Sequence, residues 1–269
     1  MDEYIKRIKK SNIRLDPLKD QFLLLDDEII QKIVSFAKLD KRDIVLEIGT
    51  AMGILTKEVA KKAGKVITFE IDKKFKPFLS KLPKNVDVRY ESAWEYVKLH
   101  GKFKKKKEYN KVVSNPPYSF IEPLLHNLTF LEYDKVILVV PLRFLKKGPK
   151  WAILDSFFKV KTLLKIPKEK FYPIPKTDSV VIDLIKLPDP IKTKNLELFL
   201  RQYVYQHEGQ LVKNSLMEGI VKYAQIVYSK KITKNEAREI IAKSKIDPNF
   251  LNAHPDNPLI YELIKQIKI

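Results

Sequence analysis

The chain has 269 residues, enough for one full core and a small satellite domain, and no cysteine, which excludes a disulfide framework and a thiolate zinc site. Apolar residues make up 45% and charged residues 32%, the balance of a globular chain, and no run approaches the ~18 apolar residues of a membrane span. The formal charge of +19 attracts polyanions, nucleic acid above all, although thermophilic proteins also carry lysine-rich surfaces.

Met1 to Arg14 is charged and lacks the apolar region of a secretion signal, so a cytoplasmic location is the default expectation. Asp27 to Lys38 has apolar residues at helical spacing behind acidic residues suited to a helix start. Asp43 to Gly49 then reads as a buried strand ending at a turn, and Ile54 to Lys62 as a helix. Lys65 to Glu70 is a second strand, Lys73 to Ser80 a helix and Val86 to Tyr90 a third strand. Lys102 to Lys107 reads as a solvated lysine-rich loop. Lys111 to Ser114 and Lys135 to Val140 supply two more strands, and this alternation predicts a parallel, doubly wound α/β sheet with right-handed crossovers. Val160 to Ile166 and Ser179 to Lys186 flank the rigid Phe171-Tyr172-Pro173-Ile174-Pro175 connection, which fits an antiparallel pair at the sheet edge. Beyond Leu187-Pro188-Asp189-Pro190 only helical periodicity follows, at Leu196 to Tyr205, Leu211 to Tyr223 and Lys234 to Lys243. The expected division is therefore an α/β domain over 1–188 and a small all-α domain over 189–269.

Three features carry chemistry. The first is Glu47-Ile48-Gly49-Thr50-Ala51-Met52-Gly53, between a strand and a helix. Glycine lets this turn approach a cofactor, and the following helix start directs N–H groups toward an anion such as a methionine carboxylate. The second is Glu70, at the end of the next strand, where a carboxylate can accept both hydroxyls of a ribose. A dinucleotide would satisfy both features. The third argues against it: Ser114-Asn115-Pro116-Pro117-Tyr118 follows the fourth strand and so lies at the same open edge. An adenine amine is a poor nucleophile because its lone pair is conjugated into the ring. The Asn115 side-chain oxygen and the Pro116 carbonyl can accept its two N–H hydrogens and turn the lone pair toward a methyl sulfonium. The prolines preset those acceptors, and Tyr118 offers a flat face to the base. The histidines (His100, His126, His207, His254) have no ligand spacing, and no metal is expected.

These residues resemble the ribosomal RNA adenine N6,N6-dimethyltransferases, the KsgA/Erm family. Asp20 to Asp26 resembles its G-Q-N-F-L-x-D segment, Glu47 to Gly53 its E-x-G-x-G-x-G loop, Asn115 to Tyr118 its N-L-P-Y, and Phe171 to Ser179 its F-x-P-x-P-x-V-x-S. The resemblance implies a Rossmann-like class I methyltransferase that uses S-adenosyl-L-methionine, acts as a monomer on ribosomal RNA or the small ribosomal subunit, and carries a C-terminal helical accessory domain. It implies that Gln21 and Leu24 line the cofactor pocket, Gly49 approaches the methionine end, Glu70 the ribose and Ser92 the cofactor adenine, with Asn115 bordering both substrates. By the same carry-over, Phe171 stacks on the target adenine opposite Tyr118; a core aromatic anchoring the proline turn is the other reading of that residue. A paired target adenine would have to leave its helix.

The chain departs from the pattern at Phe22 (usually Asn), Ala51 (Gly), Ser92 (Asp) and Pro116 (Leu). After the fifth strand, Pro141 to Lys147 replaces the family's Q-x-E-x-A-x-R segment, and Glu208 to Lys213 stands where a basic helix is expected. Such changes suit a diverged paralogue. Two alternatives stay open: a ribosome-assembly or transcription factor with weak or no catalysis, and a DNA adenine methyltransferase, against which the Phe171 to Ser179 segment argues.

Overall fold

The computed structural model describes residues 2–11, 13–100, 108–131, 133–145, 151–255, 257 and 259–269. The lysine run Lys102 to Lys107, and Lys146 and Lys147 of the segment after the fifth strand, lie outside the described residues.

Seven strands form the main sheet: β1 (Ile44–Ile48), β2 (Lys65–Phe69), β3 (Val86–Arg89), β4 (Lys111–Ser114), β5 (Lys135–Pro141), β6 (Phe158–Ile166) and β7 (Ser179–Lys186). Their order is β3-β2-β1-β4-β5-β7-β6. The first five are parallel, and β7 runs antiparallel to β5, with Val140 opposite Val180. Burial explains the centre: Val136, Ile137, Leu138, Val139 and Val140 of β5 have no exposed surface, a pattern only a strand covered on both faces can adopt. Each such side chain contributes roughly 1.5–3 kcal/mol by leaving water.

The chain moves outward in one direction from β1 through β2 to β3, then returns to place β4 on the other side of β1. The crevice at the carboxyl ends of β1 and β4 is thus the topological switch point, where open α/β sheets bind ligands. On the far side the antiparallel β7 lies between β5 and β6, which forms the edge.

Helices connect the strands. α1 (Asp2–Lys10) precedes α2 (Asp27–Phe36), which starts where the Asp26 carboxylate accepts the Ile29 N–H. α3 (Ile54–Lys62) begins directly after Gly53. Lys73–Phe75 is a 3₁₀ turn, and only Lys76–Leu79 is α-helical (α4), because Pro77 lacks the N–H needed to continue the ladder from before. α5 (Ala93–His100) and α6 (Ile121–Leu128) follow β3 and β4, and neither was read from sequence. Two further residues pairs form a separate antiparallel ribbon, Leu23 with Tyr172 and Leu24 with Phe171.

The chain divides into two compact units, one of Met1–Lys146 with Val160–Ile185 and one of Lys147–Lys159 with Lys186–Ile269. The second unit therefore includes a segment from within residues 1–188. Its helices are α7 (Trp151–Phe157), α8 (Leu196–Gln206), α9 (Val212–Tyr228), α10 (Lys234–Lys243), α11 (Pro248–Leu251) and α12 (Leu259–Leu263). Phe157 packs edge-on against Tyr205 at 5.3 Å, and α8 lies close on α9, since a Cβ at Gly219 would come within 2.9 Å of Leu200. Among the described residues no helix is long and apolar enough to cross a membrane.

Candidate active site

Three segments meet at the switch point. The first is the loop after β1. Gly49 (φ 81°) and Gly53 (φ 74°) adopt the left-handed region that glycine enters freely, and Ala51 adopts it too, at φ 49°. Gly49 N–H donates to the Phe69 carbonyl at 3.0 Å, which pins the loop to the end of β2. The Glu70 carboxylate completes the attachment, accepting the Ala51 N–H at 2.7 Å through one oxygen and the Asp72 N–H at 2.7 Å through the other. Glu70 is buried, and burial raises its carboxyl pKa against the two N–H groups that lower it.

Glu47 lies beneath the loop, 2% exposed, and accepts a hydrogen bond from Thr68 Oγ1 at 2.9 Å. Loss of hydration pushes its pKa up to about 7, and the neighbouring Glu70 charge adds to the shift.

The second segment is the turn after β4. Ser114 is fully buried; its hydroxyl donates to the Ile48 carbonyl at 2.8 Å and accepts the Ile48 N–H at 3.2 Å. This side chain couples the ends of β1 and β4 and brings Asn115-Pro116-Pro117 against the Gly49 loop. The approach is tight: a Cβ on Gly49 would lie 3.0 Å from Pro117 Cδ and 3.8 Å from the Asn115 carbonyl oxygen. Asn115 Nδ2 donates to the Phe22 carbonyl at 3.5 Å, and neither Asn115 Oδ1 nor the Pro116 carbonyl accepts a hydrogen bond from the described residues.

The third segment is a strap ahead of α2. Asp20 takes the left-handed conformation (φ 55°), and its carboxylate accepts the Ser119 N–H at 3.0 Å. Gln21 donates to Asp72 Oδ2 at 3.0 Å and accepts from Lys74 Nζ at 2.7 Å, so the strap is tied to the chain after β2 as well as to the turn after β4.

Between them lies a cavity of about 590 Å³. Gln21, Leu24, Gly49, Glu70, Ser92 and Asn115 all line it, as do Phe22, Glu47, Ile71, Pro117 and Phe120. Its size is that of a small-molecule site. Its walls suit S-adenosyl-L-methionine: Glu70 for a diol, apolar Ile71 and Phe120 for a base, and a side-chain-free Gly49 where the donor must pass near Asn115. Ser92 Oγ also accepts the Trp94 N–H at 3.2 Å, at the start of α5.

Three of the expected residues stand apart from this lining. Pro116 is buried in the turn. Tyr118 is half-buried, its ring lying beside that of Phe22 with centroids 5.9 Å apart, its hydroxyl 3.2 Å from Ser179 Oγ, and its phenol pKa raised by burial. Phe171 is 2% exposed in the main core, where it pairs with Leu24 across the ribbon, a burial that fits the other reading of this residue, a core aromatic anchoring the proline turn. The contacts of Asp20, Phe22 and Ser114 were not anticipated. Phe22 stood out only as a departure from pattern, and Ser114 only as the strand residue before Asn115.

The profile of the ribosomal RNA adenine dimethylase family matches residues 17–246. The ribosomal RNA small subunit methyltransferase A of Thermotoga maritima is 29% identical over 248 residues, covering 87% of this chain and 86% of that protein. The probable ribosomal RNA small subunit methyltransferase A of Pyrococcus furiosus is 32% identical over 219 residues, covering 76% of each. Among solved structures, a dimethyladenosine transferase from Plasmodium falciparum superposes with a TM-score of 0.58 at 21% identity, covering 90% of this chain and 95% of that one, which shows a common fold. The match spans both the sheet and most of the helical unit, and by it the chain belongs to the ribosomal RNA adenine dimethylase family.

Proposed function

We propose that this protein transfers methyl groups from S-adenosyl-L-methionine to the N6 amine of adenine in ribosomal RNA, using the small ribosomal subunit or its RNA as substrate. The observation that carries the reading is the Asn115 turn, held by Ser114 against the Gly49 loop with two oxygen acceptors that take no hydrogen bond from the described residues. Membership of the dimethylase family and the names of the relatives support the choice of ribosomal RNA.

Bound in the cavity, S-adenosyl-L-methionine supplies an electrophilic methyl on a positively charged sulfur. Glu70 accepts the ribose hydroxyls, Gln21 and Leu24 border the donor, and Ser92 accepts from its adenine amine. Asn115 Oδ1 and the Pro116 carbonyl each accept one N–H of the target amine, which localises the lone pair and aligns it with the methyl. As the nitrogen acquires positive charge, both acceptors stabilise it more than they stabilised the neutral amine. No strong base is required, because the resulting ammonium releases its proton to water. Tyr118 holds the face of the base. The surplus of +19 attracts the RNA phosphates, and residues 189–269 act as an accessory RNA-binding domain. The donor cavity and the Asn115 turn come from one chain, which suits a monomer, and a ribosomal RNA substrate suits a cytoplasmic location.

Small ribosomal subunits incubated with methyl-labelled donor test this. Label is expected on adenine N6 with wild type and to be nearly abolished with Asn115→Ala. Equal labelling by both, or no label on RNA adenines, refutes it; preference for DNA in competition reassigns the substrate, and failure to bind the donor by calorimetry favours a non-catalytic scaffold.

A further inference from the structure

The walls of the donor cavity come from separate stretches of chain. Lys19 to Leu24 of the strap form one wall, and Glu70 to Lys73 after β2 form another. Lys74 stands outside the lining, yet its ammonium bridges these stretches. An ammonium has three N–H donors and no acceptor. Three oxygens receive them here: the Arg14 carbonyl at 2.8 Å, Gln21 Oε1 at 2.7 Å and Asp72 Oδ2 at 3.0 Å. Only 27% of the side chain is exposed, which shields these contacts from much of the water that weakens surface ion pairs.

Because Lys74 can only donate, it turns the Gln21 amide so that Oε1 faces it. That oxygen also accepts the Asp16 N–H at 2.9 Å, while Nε2 donates to Asp72 Oδ2 at 3.0 Å. Asp72 in turn donates its N–H to Glu70 Oε1 at 2.7 Å. One network therefore runs from the strap through Lys74 to the carboxylate proposed to hold the ribose. Burial raises the Glu70 carboxyl pKa, and the positive charge of Lys74 is among the influences that oppose the rise.

We propose that Lys74 is a positioning residue for the donor: it clasps the strap to the chain after β2 and so sets how long S-adenosyl-L-methionine stays bound, without touching it. This rests on the reading of the cavity as the donor site. Lys74→Met keeps an unbranched apolar stem and removes all three donors. The strap then retains its fastening at Asp20 to the Ser119 N–H but loses the ammonium that joins it to Asp72.

The full chain with S-adenosyl-L-methionine as probe tests this. Displacement kinetics should show the donor leaving Lys74→Met roughly 5- to 30-fold faster than wild type, with a matching rise in Kd by calorimetry. Without donor, amide exchange should quicken at Gln21, whose N–H bonds to the Asp16 carbonyl. Single-turnover methylation of small ribosomal subunits at saturating donor should stay within about twofold, so the loss falls on KM for the donor and not on kcat. Lys76→Met removes an exposed charge two residues on and should leave every readout unchanged. In a Gln21→Ala background, Lys74→Met should add less than about threefold, because the clasp acts through Gln21. A wild-type dissociation rate in Lys74→Met, an equal acceleration in Lys76→Met, full additivity with Gln21→Ala, or slowed methyl transfer at saturating donor overturns the proposal. Wild-type protein that does not bind S-adenosyl-L-methionine overturns the reading of the cavity itself, a result seen before any variant is compared.

Discussion

Gly49→Ala probes the contact on which the site is built. At φ 81° an alanine is left-handed, at a cost of about 1–2 kcal/mol, and its Cβ would sit 3.0 Å from Pro117 Cδ. A flexible neighbour would swing away, but Pro117 is a closed ring in a turn fastened by both hydrogen bonds of Ser114. Relief must come from backbone displacement of the loop or of the turn. For a chain of this size the strain lowers the melting temperature by about 2–8 °C. Displacing the amine acceptors from the donor should cost turnover about 10-fold or more. Ala51 provides the opposite case, because it is already left-handed at φ 49°. Ala51→Gly removes that strain and adds unfolded-chain entropy of about 0.4–1 kcal/mol, so stability holds or rises slightly and turnover is retained. Thermal melts and single-turnover methylation of the two variants measure both effects. Identical behaviour of the pair, or a Gly49→Ala protein with wild-type melting and turnover, would refute the strain argument.

Asn115→Ala removes the acceptor proposed to act on the reacting amine, and single-turnover rates should fall by on the order of 10²-fold with donor affinity nearly unchanged; a matching loss of affinity would contradict that role. Glu70→Gln replaces one of two acceptor oxygens with a donor and discharges the group proposed to hold the ribose, so calorimetry should find donor binding weakened about 10-fold or more, and unchanged binding would remove Glu70 from the site. Glu47 makes stability depend on pH. Its carboxyl keeps a proton in the native state up to about pH 7 that the unfolded chain loses near its ordinary 4.5. Stability from this residue is therefore fully present below about pH 4.5, declines as pH rises to about 7, and is flat above, a loss on the order of 3 kcal/mol. Urea titrations at about pH 5 and about pH 8 should show this slope in wild type and not in Glu47→Gln; the same slope in both would assign it elsewhere.

What the chain's letters disclose follows from how far each feature depends on distant residues. β1 and β5 are legible because a strand buried on both faces is a run of aliphatic residues, and Gly49, Glu70 and Asn115 because residues at the carboxyl ends of neighbouring parallel strands must share an edge. The ribbon of Leu23–Leu24 with Phe171–Tyr172 has only two residues on each side, and no periodicity exists over two residues. Yet this ribbon decides the fate of the aromatic. Successive strand residues point to opposite faces, so the pair Leu24 and Phe171 enters the main core while Leu23 and Tyr172 pack in a second cluster with Phe75 and Leu79. The motif specifies a phenylalanine at 171; the register across about 150 residues of intervening chain specifies where its ring goes. The same logic runs in reverse at Phe22. Its letter registers as a missing asparagine, and only the fastening of the strap at Asp20 and Gln21 brings its ring beside Tyr118.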